Sequence, residues 1–197
     1  MDNGLIKSSF RLHKASMAGN PSNDLVFIAL GANLPAEGQG DIRATLIAGM
    51  DALSGNDLTI VARSSLWRSP AWPPPTAGET EQPDYLNAVV ALRTALAPDA
   101  LLQRLHDIEA VFGRRRVGRW DARPLDLDIL DYRGQVQPEE LLGRAVLPHP
   151  RLSRRLFVLL PLQEVAPGWR HPVSGASLPA LIAAAEPMKI NRLEEGR

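Results

Sequence analysis

The sequence contains no cysteine among its 197 residues. This excludes disulfide bonds, zinc sites built from thiolates, and cysteine nucleophiles. It also lacks a long apolar run: the longest, LFVLLPL, stops at seven residues, whereas a membrane-spanning helix needs about 20. Neither sign of charge is in excess, because 22 Lys and Arg residues balance 22 Asp and Glu residues. The overall charge therefore neither favours nor excludes a polyanionic partner.

The first 24 residues are polar and mixed, without the apolar middle region of a secretory signal. We expect them to form a disordered extension, or to reflect a start codon assigned too early. The rest of the chain, residues 25–197, is expected to form a single domain, since its length suits one hydrophobic core. A cysteine-free chain without a signal is expected to be cytoplasmic, and we expect a monomer.

Apolar periodicity predicts strands that alternate with helices. The predicted strands cover residues 25–30, 58–69 and 85–94, followed by the segment RPLDLDILDY at residues 123–132. The predicted helices begin after Asp41 as N-cap, cover residues 98–112, lie within residues 148–167, and cover residues 178–185. The order β-α-β-β-α-β with a helical C-terminal extension predicts a ferredoxin-like α+β fold, with two helices on one face of an antiparallel sheet.

Two aspartates, Asp126 and Asp128, interrupt the apolar strand RPLDLDILDY. Residues two apart in a strand share a face, so the two carboxylates are expected to lie together while Leu125, Leu127 and Ile129 point into the core. Two neighbouring negative charges need a positive partner, which arginine or one or two Mg²⁺ ions would supply. Taken alone the pattern is a weak signal, because an exposed edge strand can carry aspartates without function.

A strongly basic loop leads directly into this acidic strand. The segment GRRRVGRWDARP, residues 113–124, carries five arginines and one acid. The arginines are Arg114, Arg115, Arg116, Arg119 and Arg123. Such a loop is often only solvated, but next to paired carboxylates it suits a metal–triphosphate site, where metals bridge phosphate oxygens and arginines neutralise the remaining charge. The chain has no G-x-x-x-x-G-K-[ST] motif, so a nucleotide is not held here as in P-loop proteins.

Aromatic and polar residues in two other segments are further candidates. A loop over residues 70–84 contains five prolines, and a structureless loop of this length is often functional. It delivers Trp72 and leads to Tyr85, a stacking surface, and Asn87, which both donates and accepts hydrogen bonds. Downstream, LPHPRLSRRLF contains His149, Arg154, Arg155 and Phe157. Each of these residues taken alone is more often structural than functional, and His171 is interpreted as structural.

Several motifs in fixed order resemble the 6-hydroxymethyl-7,8-dihydropterin pyrophosphokinase family. These are FIALGANL, LWRSPAW, QPDYLNAVVAL, RRRVGRWDARPLDLDIL and LPHPRLSRRLFVLLPLQEVAP, within residues 25–185. The resemblance implies transfer of pyrophosphate from ATP to the hydroxymethyl group of the pterin in folate biosynthesis, with release of AMP. It also implies two Mg²⁺ ions.

The resemblance assigns roles to individual positions. It implies that Asp126 and Asp128 hold the metal ions and, with Arg114 and Arg123, form the catalytic set. It implies that the pterin is sandwiched by Tyr85 and Phe157, bonded by Asn87, and lined by the segment that contains Ser69, Pro70 and Trp72. The positions that it implies for ATP are Glu109, Arg116, Trp120, Arg144, His149 and Arg155.

Two other classes of protein remain open at this point. Ferredoxin-like sheets also bind RNA through exposed aromatics, but no predicted strand carries that aromatic pattern, and only 5% of the residues are aromatic. We therefore expect no nucleic acid partner and no membrane partner. A metal-dependent phosphohydrolase would use the same aspartates, and would release product without a pterin acceptor.

Overall fold

A computed structural model describes residues 24–55, 57–74, 82–113, 123–138 and 144–194, so the expectation for residues 1–23 lies outside the described part. The helices are α1 (Ile42–Ala52), α2 (Pro98–Val111), α3 (Leu156–Val165) and α4 (Leu178–Ala184). The strands are β1 (Val26–Ala32), β2 (Leu58–Arg63), β3 (Trp67–Ser69), β4 (Tyr85–Thr94), β5 (Asp126–Tyr132) and β6 (Asn191–Arg192). Within the described ranges, no helix is both long enough and apolar enough to cross a bilayer.

The strands form one sheet in the order β5-β1-β4-β3-β6, and every pairing is antiparallel. The long strand β4 pairs with β1 along one side. Along its other side it pairs first with β3, through residues 85–87, and then with β2, through residues 90–94. The predicted mixed α+β class with an antiparallel sheet is confirmed.

Both faces of the sheet are covered by helices. One face packs against α1 and α2 through buried residues such as Ile28, Leu46 and Leu105. The other face packs against α3 and α4 through residues such as Leu159 and Leu181. The expectation of two helices on one face holds for α1 and α2, and the C-terminal helices, which the sequence leaves unplaced, cover the second face.

The predicted strand over residues 58–69 is wrong in its centre, because it is divided into β2 and β3. The Ser64 hydroxyl accepts a hydrogen bond from the Val89 N–H at 2.9 Å, where a regular strand would offer a backbone carbonyl. The Ser65 N–H turns instead to the Glu164 carboxylate on α3, at 2.7 Å. The Ser64 N–H still donates to the Val89 carbonyl at 2.9 Å, so side chains replace only part of the regular ladder at this point.

Helix α1 approaches the entry to β5 at Gly49. A Cβ atom at this position would lie 2.8 Å from one methyl carbon of Leu125 and 3.0 Å from the other, and Leu125 is fully buried. The helix begins as predicted, since the Asp41 carboxylate accepts the Ala44 N–H at 2.7 Å. The close packing at Gly49 thus helps to fix the residue that directly precedes Asp126.

Strand β5 contains a bulge at its distal end. The pairing with β1 shifts register between Phe27 and Ile28, which leaves Leu130 as an extra residue. Leu130 packs with α3 and α4, and the next residue, Asp131, is buried beside Trp169 of the same cluster. The bulge therefore turns two consecutive side chains towards the same helices.

The buried carboxyl of Asp131 makes stability depend on pH. It accepts hydrogen bonds from the Trp169 indole N–H at 2.6 Å and the Gly134 N–H at 2.8 Å, yet burial raises its pKa above the ordinary value of 3.8. The folded state therefore binds the proton more tightly than the unfolded chain. Protonated Asp131 stabilises the fold most below pH 3.8, and this stabilisation is lost as the pH rises through the folded-state pKa.

We therefore expect the free energy of unfolding of the native chain, relative to Asp131→Asn, to fall as the pH rises above 3.8. The slope is at most about 1.4 kcal/mol per pH unit for one proton. Urea unfolding of both proteins at each pH measures this difference, and Asp107→Asn, an exposed change on α2, is the matched control. If the two curves ran parallel over this range, the raised pKa would be contradicted.

Candidate active site

Asp126 and Asp128 share one face of β5, as predicted. Both are partly exposed, while Leu125, Leu127 and Ile129 are buried in the core under α1 and α2. The face that carries the carboxylates is the one that α3 and α4 cover further along the sheet.

A row of opposed residues crosses the sheet from this acidic strand. Asp126 pairs with Gly31 on β1, Gly31 pairs with Asn87 on β4, and Asn87 pairs with Trp67 on β3. Directly opposed residues of antiparallel strands project from the same face. Because Gly31 has no side chain, the surface between Asp126 and Asn87 is left open for a ligand.

Asp126 is paired with the last arginine of the basic loop. The Arg123 Nη1 atom lies 3.0 Å from Asp126 Oδ1, and both side chains are mostly buried. The Arg123 backbone is held by Asn33 through two hydrogen bonds. The Asn33 side-chain oxygen accepts the Arg123 N–H at 2.7 Å, and the Asn33 backbone N–H donates to the Arg123 carbonyl at 3.1 Å. The position of Arg123 is therefore set by the end of β1.

Asn33 is a candidate positioning residue that the sequence analysis missed. Its side chain is almost completely buried, and its amide N–H donates to Gln82 Oε1 at 3.2 Å, an atom that also accepts the Tyr85 hydroxyl at 3.3 Å. Asn33 thus joins the end of the basic loop to the end of the proline-rich loop. The sequence offers only a weak signal for this role, since an asparagine after a strand is typical of a turn.

Asp128 faces a histidine and a second arginine. His149 Nε2 lies 3.7 Å from Asp128 Oδ2, and Arg155 Nη1 lies 3.5 Å from the same oxygen. Burial, followed by the charges of Arg155 and Arg151, lowers the pKa of His149 to about 4. His149 is therefore neutral at pH 7, and Arg155 supplies the positive charge beside Asp128.

Arg155 connects the acidic strand to an aromatic pair. Its guanidinium carbon lies 5.4 Å from the Trp72 ring centroid and 5.7 Å from that of Phe157, and the two rings are 6.4 Å apart. Burial lowers the pKa of Arg155 and Asp128 opposes this shift, although a guanidinium stays charged in proteins. Its Nε–H has no hydrogen-bond partner within the described part of the chain.

Asn87 lies in a small polar cluster on the other side of Gly31. Its side-chain amide donates to Ser69 Oγ at 3.0 Å and to the Trp67 carbonyl at 3.4 Å. Ser69 in turn donates to the Pro70 carbonyl at 3.2 Å. These bonds orient the amide of Asn87, which is 5% exposed, at the edge of the open surface.

Tyr85 lies between this cluster and the acidic strand. Burial raises the pKa of its phenol, Arg123 opposes this shift, and Asp126 adds to it. The phenol is therefore protonated at pH 7 and donates to Gln82, as its 3.3 Å bond requires.

Two predicted ATP contacts are bonded to protein groups in the described structure. The buried Glu109 carboxylate accepts the Leu127 N–H at 2.7 Å, so it satisfies the outer edge of β5 from α2. Arg144 is exposed and lies 3.4 Å from the Asp99 carboxylate in the first turn of α2. Their roles towards ATP stay predictions.

The other candidates of the basic loop lie outside the described residues. They are Arg114, Arg115, Arg116, Arg119 and Trp120.

The acidic pair is the donor set available for a metal. Among the described residues, no group of three or more His, Asp or Glu side chains converges as a cage. Mg²⁺ does not need one, because it is typically held by one or two carboxylates with the rest of its shell from water and substrate phosphates. Asp126 and Asp128, partly exposed on one face, fit this pattern.

A cavity of about 480 Å³ lies beside the start of the proline-rich loop. It shares Pro70 and Trp72 with the candidate site, and its other wall includes Glu186 and Met188 from the C-terminal segment. None of the described residues that line it belongs to β5. The paired aspartates therefore lie on the open sheet surface rather than in this cavity.

Comparison with known proteins places the chain among the pyrophosphokinases. A family model described as 7,8-dihydro-6-hydroxymethylpterin-pyrophosphokinase matches residues 27–167, so the chain belongs to this family.

Curated relatives agree with the family match. Two proteins named 2-amino-4-hydroxy-6-hydroxymethyldihydropteridine pyrophosphokinase are similar to the chain. The one from Methylorubrum extorquens is 37% identical over 169 residues, which is 85% of this chain and 98% of the relative. The one from Pseudomonas aeruginosa is 41% identical over 168 residues, which is 85% of this chain and 96% of the relative.

A solved structure supports the fold. The crystal structure of wild-type Plasmodium falciparum HPPK-DHPS with STZ-DHP matches with a TM-score of 0.61 at 12% identity. The match covers 81% of this chain and 43% of that longer one. At this identity the similarity establishes a shared fold and carries no argument about the site.

Proposed function

We propose that this chain transfers pyrophosphate from ATP to the hydroxymethyl group of 6-hydroxymethyl-7,8-dihydropterin, and releases AMP, in folate biosynthesis. Its family membership supports the reaction, and one structural observation supports its place in the molecule. Asp126, Asp128 and Asn87 project from the same face of the sheet around the bare position of Gly31.

The ATP half of the site comprises β5 and the groups around it. Arg123 and Arg155 lie 3.0 Å and 3.5 Å from the two aspartates, so two cations are already in place for a polyphosphate. Guanidinium groups match phosphate oxygens in geometry and in charge. The Nδ1 atom of the neutral His149 accepts the Arg151 N–H at 3.1 Å, so its Nε2 carries the hydrogen and can donate without adding a charge.

We assign Asp126 and Asp128 as the residues that would hold two Mg²⁺ ions. The fit rests on their shared face and partial exposure. The arginines beside them, Arg123 and Arg155, are the groups that would face the phosphates. Bound Mg²⁺ would neutralise phosphate charge and lower the pKa of the attacking hydroxyl.

The pterin half of the site comprises β3, β4 and the aromatic residues. Both N–H groups of the Asn87 amide donate to Ser69 and Trp67, which fixes its orientation. Its Oδ1, which faces the bare position of Gly31, is the atom that would accept a hydrogen bond from a pterin. Tyr85 and Phe157 are the rings proposed to stack on the pterin. Pro70 and Trp72 belong to the segment proposed to line its edge.

The protein's own contribution to the reaction is positioning and charge neutralisation. The pterin hydroxyl must attack the β-phosphorus in line with the leaving AMP. Holding the two substrates on adjacent parts of one rigid sheet converts this into a reaction within a complex. Arg123 and Arg155 stabilise the negative charge that develops on the phosphate oxygens.

We also propose finer assignments for the molecule as a whole. The strand order β5-β1-β4 followed by β2 and β3 supports a ferredoxin-like topology. One pyrophosphokinase domain over residues 25–197 is supported by two cores on the two faces of a single sheet. We also propose a monomer, and a cytoplasmic location, which the requirement for ATP supports.

The proposed activity is tested by incubating the protein with ATP, Mg²⁺ and the hydroxymethyldihydropterin. We expect AMP and the pterin diphosphate to form in equal amounts, and AMP release to stop when either the pterin or Mg²⁺ is left out. AMP release at the same rate without the pterin would indicate a hydrolase and overturn the proposal.

A further inference from the structure

The chain beyond the family match returns to the site as a strap. The match ends at residue 167, whereas β6 pairs Arg192 with Trp67 and Asn191 with Arg68 on β3. We call residues 186–193 the C-terminal strap. Its last residue, Leu193, donates its N–H to the Leu66 carbonyl at 2.8 Å and packs against the core.

A carboxylate on α3 ties the strap to β3. Glu164 accepts hydrogen bonds from the Ser65 N–H at 2.7 Å and the Trp67 indole N–H at 3.2 Å. Arg192 of the strap completes the cluster, because its Nε lies 3.3 Å from Glu164 and donates to the Ser65 hydroxyl at 2.8 Å. Helix, strand and strap are thus joined through one carboxyl group.

Strand β3 depends on these contacts because it is only three residues long. One of its edges pairs with β4 and the other pairs with β6. Its Trp67 carbonyl and Ser69 hydroxyl are the two groups that orient the Asn87 amide. A shift of β3 would therefore turn Asn87 and move the adjoining residues Pro70 and Trp72.

We propose that Glu164 and the C-terminal strap are positioning elements for the pterin half of the active site, and that they do not act on the ATP half. This rests on the proposed function. Asp126 and Asp128 lie on β5, at the opposite edge of the sheet from β6. The strap also lines the cavity that Pro70 and Trp72 share, which places it next to the segment that it steadies.

The test measures KM for the pterin and for ATP separately. We expect Glu164→Ala to raise the KM for the pterin about tenfold, since three donors lose their acceptor. Arg192→Ala is expected to raise it about threefold, because an exposed ion pair contributes less. In both variants the KM for ATP is expected to stay within about twofold of the native value. Arg192→Lys is expected to restore only part of the loss, because lysine keeps the charge near Glu164 but has no N–H in place of the Nε that donates to Ser65.

The matched control is Arg63→Ala, which removes another exposed arginine that forms an ion pair, at 2.9 Å from Asp51. We expect it to leave both KM values unchanged. Circular dichroism shows whether Glu164→Ala folds. If it does not fold, the KM values of Arg192→Ala, a change at an exposed residue, are the test of the proposal.

Two results would overturn the inference: an unchanged KM for the pterin in Arg192→Ala, or equal rises in both KM values. A native protein that forms no pterin diphosphate would instead overturn the proposed function. The two failures are therefore distinguishable in one assay.

Discussion

Replacing Asp126 or Asp128 by alanine is expected to lower kcat by at least about a thousandfold while the fold stays intact. Each substitution removes one of two carboxylates that project from the same face of β5. If these residues hold metal as proposed, the substitution removes metal-supported neutralisation of phosphate charge, which contributes several kcal/mol to lowering the barrier. Neither side chain fills the core, so its removal leaves no cavity there.

Steady-state AMP release at saturating substrates measures this effect, and circular dichroism checks the fold. Asp126→Asn and Asp128→Asn are the stricter variants, because an amide oxygen can still accept from Arg123 or Arg155 while the charge is gone. Asp107→Ala, an exposed carboxylate on α2, is the control that should retain native activity. Near-native Mg²⁺-dependent turnover in either alanine variant would show that the metal assignment is wrong.

Arg155→Ala is expected to lower kcat/KM by about a hundredfold or more. The side chain of this arginine is 11% exposed and lies 3.5 Å from Asp128, and the Trp72 and Phe157 ring centroids lie 5.4 and 5.7 Å from its guanidinium carbon. Its removal takes away a cation proposed to face the phosphates and leaves Asp128 without that partner. We therefore expect kcat/KM for ATP to fall more than kcat/KM for the pterin, which would change only through the Trp72 and Phe157 rings.

Arg155→Lys separates charge from shape. Lysine keeps the positive charge but lacks the planar fork that stacks on aromatic rings, so only part of the activity should return. Arg170→Ala, which removes an exposed arginine bonded to the Gly175 carbonyl, is the matched control. If Arg155→Ala kept native kcat/KM for both substrates, its place in the ATP half would be refuted.

Much of the fold can be predicted from apolar patterns, because α2 buries one face at helical spacing and β4 is a continuous apolar run that is buried on both faces. Strand β4 and helix α2 fall within one residue of the predicted bounds, since each has a long apolar pattern and a clear end. The division between β2 and β3 could not be predicted, because it depends on a hydrogen bond from Val89 to the Ser64 hydroxyl. The two-residue strand β6 is too short to show any period.

The candidate site also has features that the sequence predicts and features that it does not. The shared face of Asp126 and Asp128 follows directly from the period of two in a strand. The arginine that faces Asp128 lies 27 positions further along the chain, at Arg155, and the loop path that brings it there has no local signal. Asn33 and Glu164 were missed for a related reason, since their partners belong to distant segments and their residue types are common on surfaces.

The contact between Gly49 and Leu125 has a consequence for attempts to make this enzyme more robust. Exchanging a helical glycine for alanine is a standard stabilising change, with a gain of up to about 1 kcal/mol from helix propensity. Here the added methyl group would press on a side chain with no free space around it, one residue before a carboxylate proposed to bind metal. A protein engineer who ranks substitutions by helix preference alone would thus select a change that disturbs catalysis from the far side of the sheet.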